Sequence, residues 1–289
     1  VYSIGGPNYD DVAVVSVPFA TDADQCTVAA ACDPVNGALF DPYVPMSDNI
    51  ACTIDVCDST YGVQHQPDDS TCDDTDLCTV DACDVSIGCT NTAVDPNDND
   101  PCTLDSCDPS TGVSNVFQGF AETFADNSAG WTLDTNWAIG PAASGCGDPG
   151  SDHSPSADNG IAGVVIGGCA PTSPVDASVF YCATSPVVDT TPITNPTLSY
   201  WRDLYSDYTP YMKNKVDVFD GAQWVTVWES FGSPGINDAT WTFHSYDLTA
   251  YSNANLQVRF CYNIGSAGAF SRGSWNLDDV TITPPGCTL

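Results

Sequence analysis

Basic residues are almost missing from this 289-residue chain: five Lys and Arg stand against 38 Asp and Glu, for a formal charge of −33. All five (Arg202, Lys213, Lys215, Arg259 and Arg272) lie beyond residue 200, and residues 1 to 119 hold 21 Asp and no positive charge. Nucleic acid is thereby excluded as a partner, because affinity for phosphate is built from Lys and Arg. Glutamate is as scarce, with Glu122 and Glu229 beside 36 Asp. A short carboxylate close to the backbone suits turns and oxygen-rich cation sites, so this bias points to calcium. No apolar run is long enough to span a bilayer, and the chain opens with neither an initiator Met nor a signal peptide, so a processed, mature N-terminus is expected.

Catalytic signatures are missing too. There is no G-x-S-x-G, no H-E-x-x-H and no phosphate-binding glycine loop. Asp152-His153-Ser154 is no hydrolytic triad by its spacing, because side chains of neighbours point apart and triad members come from separate loops. Among 38 acids a carboxylate pair is no sign of a glycosidase. His153 and His244 read as hydrogen-bonded turn or strand residues, no catalytic residue is assigned, and no enzyme is expected.

What the chain has instead is 15 cysteines and a repeat. The runs C-T-I-D-V-C-D at Cys52 to Asp58, C-T-V-D-A-C-D at Cys78 to Asp84 and C-T-L-D-S-C-D at Cys102 to Asp108 follow a degraded copy at Cys26 to Asp33. Units of about 25 residues cannot bury a core, so cross-links, metal or neighbouring units must stabilise them. Zinc sites favour C-x2-C with nearby His, and this array offers only His65, so disulfides in an oxidising compartment are expected. Cysteines five apart lie roughly 16 Å apart in a strand, and a disulfide needs Cα atoms within about 7 Å. Either a tight turn closes each C-x4-C or the bonds run from repeat to repeat. The third copy carries an extra pair, Cys72 and Cys89, expected to bond to each other.

Asp residues recur around the cysteines: Asp48, Asp55 and Asp58, then Asp76, Asp81 and Asp84, with Asp73 and Asp74 additional in that copy, then Asp98 or Asp100, Asp105 and Asp108. Three carboxylates with carbonyls and water would satisfy the six to eight oxygens that calcium takes. The first copy has Ala at the central positions and is expected to bind weakly or not at all. Glycines follow four residues after each closing Asp, at Gly62, Gly88 and Gly112. With them, residues 22 to 116 resemble the CTxDxC cysteine-rich repeat of extracellular matrix and bacterial cell-surface proteins, which implies a structural or adhesive role.

From Phe117 aromatic residues appear in short alternating segments, among them Thr197 to Trp201, Trp224 to Trp228, Leu256 to Tyr262 and Val280 to Thr283, separated by turn residues. Many short strands with almost no helical period predict an antiparallel sandwich. Phe124, Gly130-Trp131, Trp137, Asp152-His153, Phe260 to Tyr262 and the closing Trp275 to Val280 resemble jelly-roll modules of secreted bacterial proteins related to MAM domains. That resemblance implies a structural calcium at Asp278 or Asp279.

Two features point to assembly. Val12, Val14, Val15, Val17 and Phe19 are apolar on both faces of an extended segment, which either packs on the C-terminal domain or adds as a strand to the sheet edge of another copy. Beyond residue 117 the cysteines are odd in number. Cys146 and Cys169 flank one loop region and Cys182 and Cys261 sit in strand contexts, which leaves Cys287 as a candidate intermolecular cysteine.

The expected fold is mainly β: an N-terminal strand segment (1–21), a disulfide-stapled short-repeat stalk (22–116) and an antiparallel β-sandwich or jelly roll (117–289). The expected function is that of a secreted, non-catalytic structural or adhesive protein, calcium-stabilised and part of an extracellular filament. The second reading is a carbohydrate-binding accessory module with a surface glycan as partner, for which Trp201, Tyr205, Tyr208 and Tyr211 would supply a stacking surface.

Overall fold

The computed structural model describes residues 23–33, 35, 37–42, 46–154, 157–270 and 272–287. The apolar segment Val12 to Phe19 lies outside them. Each cysteine motif supplies the first strand of a hairpin. β1 (Thr27–Asp33) pairs with β2 (Gly37–Pro42), β3 (Thr53–Asp58) with β4 (Gly62–Pro67), β5 (Thr79–Asp84) with β6 (Gly88–Ala93), and β7 (Thr103–Asp108) with β8 (Gly112–Phe117). The turns are encoded locally. Asp58, Asp84 and Asp108 accept hydrogen bonds from the amides of Thr60, Ser86 and Ser110, and Gly62, Gly88 and Gly112 then take φ of 80°, 96° and 82°, where a side chain would be strained.

Alternation sorts the motif in an unusual way. In β3, Thr53, Asp55 and Cys57 are half-buried while Ile54 and Val56 are 49% and 37% exposed. The covered side holds the carboxylate and the sulfur, so a hairpin of this kind has no apolar core of its own. Disulfides replace it. Cys26 bonds Cys57, Cys52 bonds Cys83 and Cys78 bonds Cys107, with Cα separations of 5.7, 5.7 and 5.8 Å. The first cysteine of one repeat thus takes the second cysteine of the next, and Cys72 bonds Cys89. The reading of Cys287 as an odd, intermolecular cysteine is corrected here, since it bonds Cys102, the first cysteine of the fourth repeat.

The chain divides into two compact units, Val1–Pro96 with Ser106–Ser114, and Asn97–Asp105 with Asn115–Leu289. Within the second, two antiparallel sheets form a β-sandwich. Its strands are β9 (Phe120–Glu122), β10 (Thr132–Leu133), β11 (Trp137–Pro141), β12 (Gly160–Val164), β13 (Asp176–Thr184), β14 (Thr197–Ser206), β15 (Met212–Phe219), β16 (Trp224–Glu229), β17 (Ile236–Asn237), β18 (Thr242–Asp247), β19 (Gln257–Ile264) and β20 (Arg272–Thr283). One sheet runs β10-β13-β19-β15-β16. The other runs β11-β12-β20-β14-β17, with β18 also paired to β14 and β9 to β20.

Period-two alternation sends Leu198, Tyr200 and Leu204 of β14, Leu277 and Ile282 of β20, Val258, Phe260 and Tyr262 of β19, and Val216 and Val218 of β15 into the interior. Trp275 lies between the sheets, its ring 5.8 Å from those of Phe260 and Trp228. Cys182 and Cys261 face each other across β13 and β19 and are bonded, as are Cys146 and Cys169 in the segment between β11 and β13. β20 carries an extra residue: pairing with β14 shifts between Ser199↔Thr281 and Trp201↔Asp278, and Asp279 takes φ 48°.

Candidate functional site

At one end of the sandwich three loops enclose an open cleft of ≈ 430 Å³. The residues after β14 supply Asp207, Tyr208 and Tyr211; Ser233, Pro234 and Gly235 precede β17; Gly268 and Phe270 precede β20. Asp207, 8% exposed, joins two of these loops by accepting from the amide of Tyr208 at 2.9 Å and from that of Phe270 at 2.7 Å. A Cβ on Gly235 would come within 2.4 Å of the Ser206 carbonyl, so the close approach of its loop requires glycine. The rings of Tyr208 and Tyr211 meet edge to face at 5.1 Å, and Phe270 is 92% exposed. The result is a concave surface with aromatic walls and phenol groups, of a size suited to a small ligand.

The four aromatics expected to form one stacking surface are divided. Tyr208 and Tyr211 share the cleft, whereas Trp201 and Tyr205 project from the other side of β14. His153 stacks on Trp201 at 3.7 Å, Trp241 approaches His153 edge-on at 6.4 Å, and the ring of Phe243 lies 5.4 Å from that of Trp201. One face of Trp201 is therefore already covered. The bulge in β20 turns both closing acids toward this place. Asp278 accepts from the amides of His153 at 2.8 Å and Ser154 at 3.2 Å, and Asp279 bonds His153 Nδ1 at 2.7 Å. Both ligand positions implied by resemblance thus already accept from N–H donors or bond an imidazole. Burial, together with the neighbouring charge of Asp279, pushes Asp278 up to about 6. Asp152-His153-Ser154 serves as an anchor for its loop.

His244 departs from expectation. Its Nε2 is buried with no hydrogen-bond partner, and its ring stacks 5.4 Å from Tyr200. Burial, then the charge of Arg202, lowers it from 6.5 to about 4.

On the outer face of the five-stranded sheet three of the five basic residues come together, because Lys213 and Lys215 share a strand face and β19 places Arg259 opposite Asp217. Asp217, 1% exposed, receives Lys215 Nζ at 2.7 Å, Arg259 Nε at 2.9 Å and Thr226 Oγ1 at 2.7 Å. Burial opposes its charge, but these hydrogen bonds outweigh it and hold the carboxyl below its usual range. The Arg259 guanidinium lies 4.1 Å over the Trp224 ring and Lys215 Nζ lies 4.4 Å over Phe180. Lys213 pairs with Glu229 at 2.6 Å.

In the repeats the acids separate by role. Asp76 and Asp100 accept from the amides of Cys78 and Cys102, each at 2.8 Å. Asp58, Asp84 and Asp108 close the hairpin turns. The expected equivalence of Asp48 with Asp76 is corrected here: Asp48, Asp74 and Asp98 correspond, each accepting from the Thr of its motif, Thr53 at 2.9 Å, Thr79 at 3.1 Å and Thr103 at 3.0 Å. Each has a second partner on the return strand. Asn91 donates to Asp74 at 2.6 Å and Asn115 to Asp98 at 2.9 Å, while His65 takes that position in the earlier copy. There the donor atoms of Asp48, Asp55 and His65 lie within 4.8 Å of one another. Hydrogen bonds, chiefly from the Asp76 and Asp100 amides, hold Asp74 and Asp98 below the usual carboxylate range. Asp81 Oδ1 is buried without a partner. This oxygen-dominated donor set fits a hard cation such as calcium.

Sequence reasoning missed Asp207 and Phe270, which no local pattern joins. The signal available was the turn chemistry of Ser233-Pro234-Gly235 and of Gly265 to Gly268, which marks loops without showing that they meet.

Residues 47–67, 71–94 and 95–116 match the Dictyostelium (slime mold) repeat family, so three of the four copies are similar to that repeat. No curated protein sequence matches the chain significantly. Among solved structures, it is similar to the K1 cleaved adhesin domain of Lys-gingipain from Porphyromonas gingivalis W83, at 16% identity over 58% of this chain and 99% of that one, with a TM-score of 0.37. The Caldicellulosiruptor saccharolyticus CBM27-1 in complex with mannohexaose matches at 12% identity over 58% of this chain and 97% of its own, with a TM-score of 0.38. The C-terminal family 22 carbohydrate binding module of Clostridium thermocellum Xyn10B matches at 9% identity, covering 59% and 96%, with a TM-score of 0.33. At these identities the likeness bears on the fold alone.

Proposed function

We propose that this is an extracellular, non-catalytic binding protein whose sandwich takes a carbohydrate in the cleft of Tyr208, Tyr211 and Phe270, presented by a disulfide-stapled repeat segment. The cleft carries the proposal. Sugars offer C–H faces to aromatic planes and hydroxyls to polar rims, and two rigid tyrosines beside an exposed phenylalanine supply both at low entropic cost. The engagement of His153 and Ser154 by Asp278 and Asp279, in anchoring their loop, supports the non-catalytic part. An oxidising compartment fits the seven disulfides among the described residues.

Adhesion through a surface glycan accommodates both sequence-based readings. The filament reading has lost one of its supports, because Cys287 is bonded within the chain. Calcium on the second to fourth repeats belongs to the proposal and is supported by the recurring Asp48-type and Asp55-type pairs.

A glycan array probed with the whole chain tests the function. Binding to at least one glycan class is expected, and Tyr208→Ala or Tyr211→Ala should weaken it about tenfold, the equivalent of about 1.4 kcal/mol. No binding to any glycan, or binding indifferent to both substitutions, would place the function elsewhere.

A further inference from the structure

The tyrosine cleft holds charge of one sign. Asp207 lines it while only 8% exposed, and its two oxygens each accept one amide, Oδ1 that of Tyr208 and Oδ2 that of Phe270. A carboxylate offers about four acceptor positions, so two amides orient the group and fill half of them. Among the described residues that line the cleft there is no Lys, Arg or His. The carboxylate is felt at the cleft wall: the Tyr208 phenol is pushed above its ordinary range, first by Tyr211, then by desolvation, and also by the charge of Asp207.

The rings beside this carboxylate are arranged for a cation as well as for the face of a sugar. Tyr208 and Tyr211 stand at 82° with centroids 5.1 Å apart, so their planes make a corner, and Phe270 lines the same cleft. The face of an aromatic ring is the negative part of its quadrupole, and a cation seated in such a corner meets two faces. The corner is built before any ligand arrives. The Tyr211 amide donates to the Tyr208 carbonyl at 2.8 Å, and the Gly265 amide to the Tyr211 carbonyl at 2.9 Å. A Cβ on Gly265 would stand 2.0 Å from the Pro210 carbonyl oxygen, so glycine is what lets that loop close on the tyrosines. Groups that need no rearrangement leave more of their interaction energy for binding.

Long-range forces favour the same sign of ligand. At a formal −33 the chain attracts a cation and repels a uronate or a sulfated sugar. Building on the glycan reading of this cleft, on which the assignment rests, we propose that the cleft selects sugars bearing a protonated amine, with the ammonium of a de-N-acetylated hexosamine in the corner of Tyr208 and Tyr211 beside Asp207. The exposed Phe270 ring then serves the C–H face of the sugar. N-acetylation removes the charge and with it the attraction to ring faces and carboxylate.

The test measures, by calorimetry on the whole chain at physiological ionic strength, binding of a glucosamine trisaccharide, its N-acetylated counterpart and a galacturonate trisaccharide. Wild type is compared with Tyr211→Ala and Asp207→Asn. The glucosamine trisaccharide is expected to bind wild type about tenfold more tightly than the N-acetylated one, and the galacturonate most weakly. Both substitutions should remove most of that preference. A preference that survives Tyr211→Ala comes from the overall negative charge and overturns the proposal. Equal or weaker binding of the glucosamine trisaccharide by wild type, a result that needs no variant, overturns it too and leaves the cleft a site for other glycans. Lysine amide competing as well as the trisaccharide would show an ammonium read without its sugar, which also overturns the assignment. Binding of none of the three, nor of any glycan on the array, removes the glycan reading itself.

Discussion

His244 is the residue whose protonation the fold resists most plainly. Folded, it titrates near 4 against an ordinary 6.5. As pH falls through 6.5 the unfolded chain gains a proton that the folded chain does not, so its contribution to stability is complete above 6.5 and is lost progressively toward 4. His244→Gln should therefore flatten the loss of urea stability between those values, and an unchanged slope would show that the imbalance lies in other groups. Asp217 poses the opposite case, a buried carboxylate fully served by Lys215, Arg259 and Thr226. Asp217→Ala leaves two half-buried cations without their partner and should cost about 3 kcal/mol in urea unfolding, against about 1 kcal/mol for Thr226→Val.

At the scale of the element, the repeat hairpin is stabilised by what most strands lack. Its covered face presents Thr, Asp and Cys, and its aliphatic residues are exposed, with Val80 at 59% and Leu104 at 51%. Hydrophobic burial therefore contributes little, and disulfides and any bound cation must supply the rest. Chelation with EDTA is expected to speed protease cleavage between residues 46 and 116, and Asp81→Asn to blunt that effect by replacing the carboxylate whose Oδ1 has no partner. Cleavage equally fast with and without EDTA would remove calcium from the account of the repeats. The motif itself was legible: the C-T-x-D-x-C-D run, its closing Asp and the Gly four residues later specify strand, turn and strand by local chemistry alone. The equivalence of Asp48 with Asp74 and not Asp76 was harder to read, because both acids precede the cysteine and only their hydrogen bonds separate them.

For the whole molecule, the cysteine ladder sets the covalent topology. The seven bonds among the described residues use fourteen cysteines of the chain's fifteen, so thiol titration of the denatured, unreduced protein should find at most one. Cys102–Cys287 closes the longest loop, a separation of 185 residues. In the chain-entropy account its removal by the double variant Cys102→Ser with Cys287→Ser should cost about 4 kcal/mol, less whatever the bridges nested inside it already remove. A melting temperature unchanged by that variant would show that the bond adds no constraint.

Composition and local pattern by themselves determined the class of this protein: an acidic chain of disulfide-bonded cysteine repeats followed by an antiparallel β-sandwich. Those conclusions follow from short-range physics, in which strand period, turn residues and charge act within a few positions. Only the tertiary structure decided which cysteines bond, why Cys287 is not free, and where functional groups gather. The cleft forms because Asp207 reaches the amide of Phe270, 63 residues away, and the segment after β11 is held to β20 where the Asn276 amide meets Asp148 across 128 residues. Contacts of that span are chosen by how two sheets and their loops pack against one another, and no local run of residues encodes that choice.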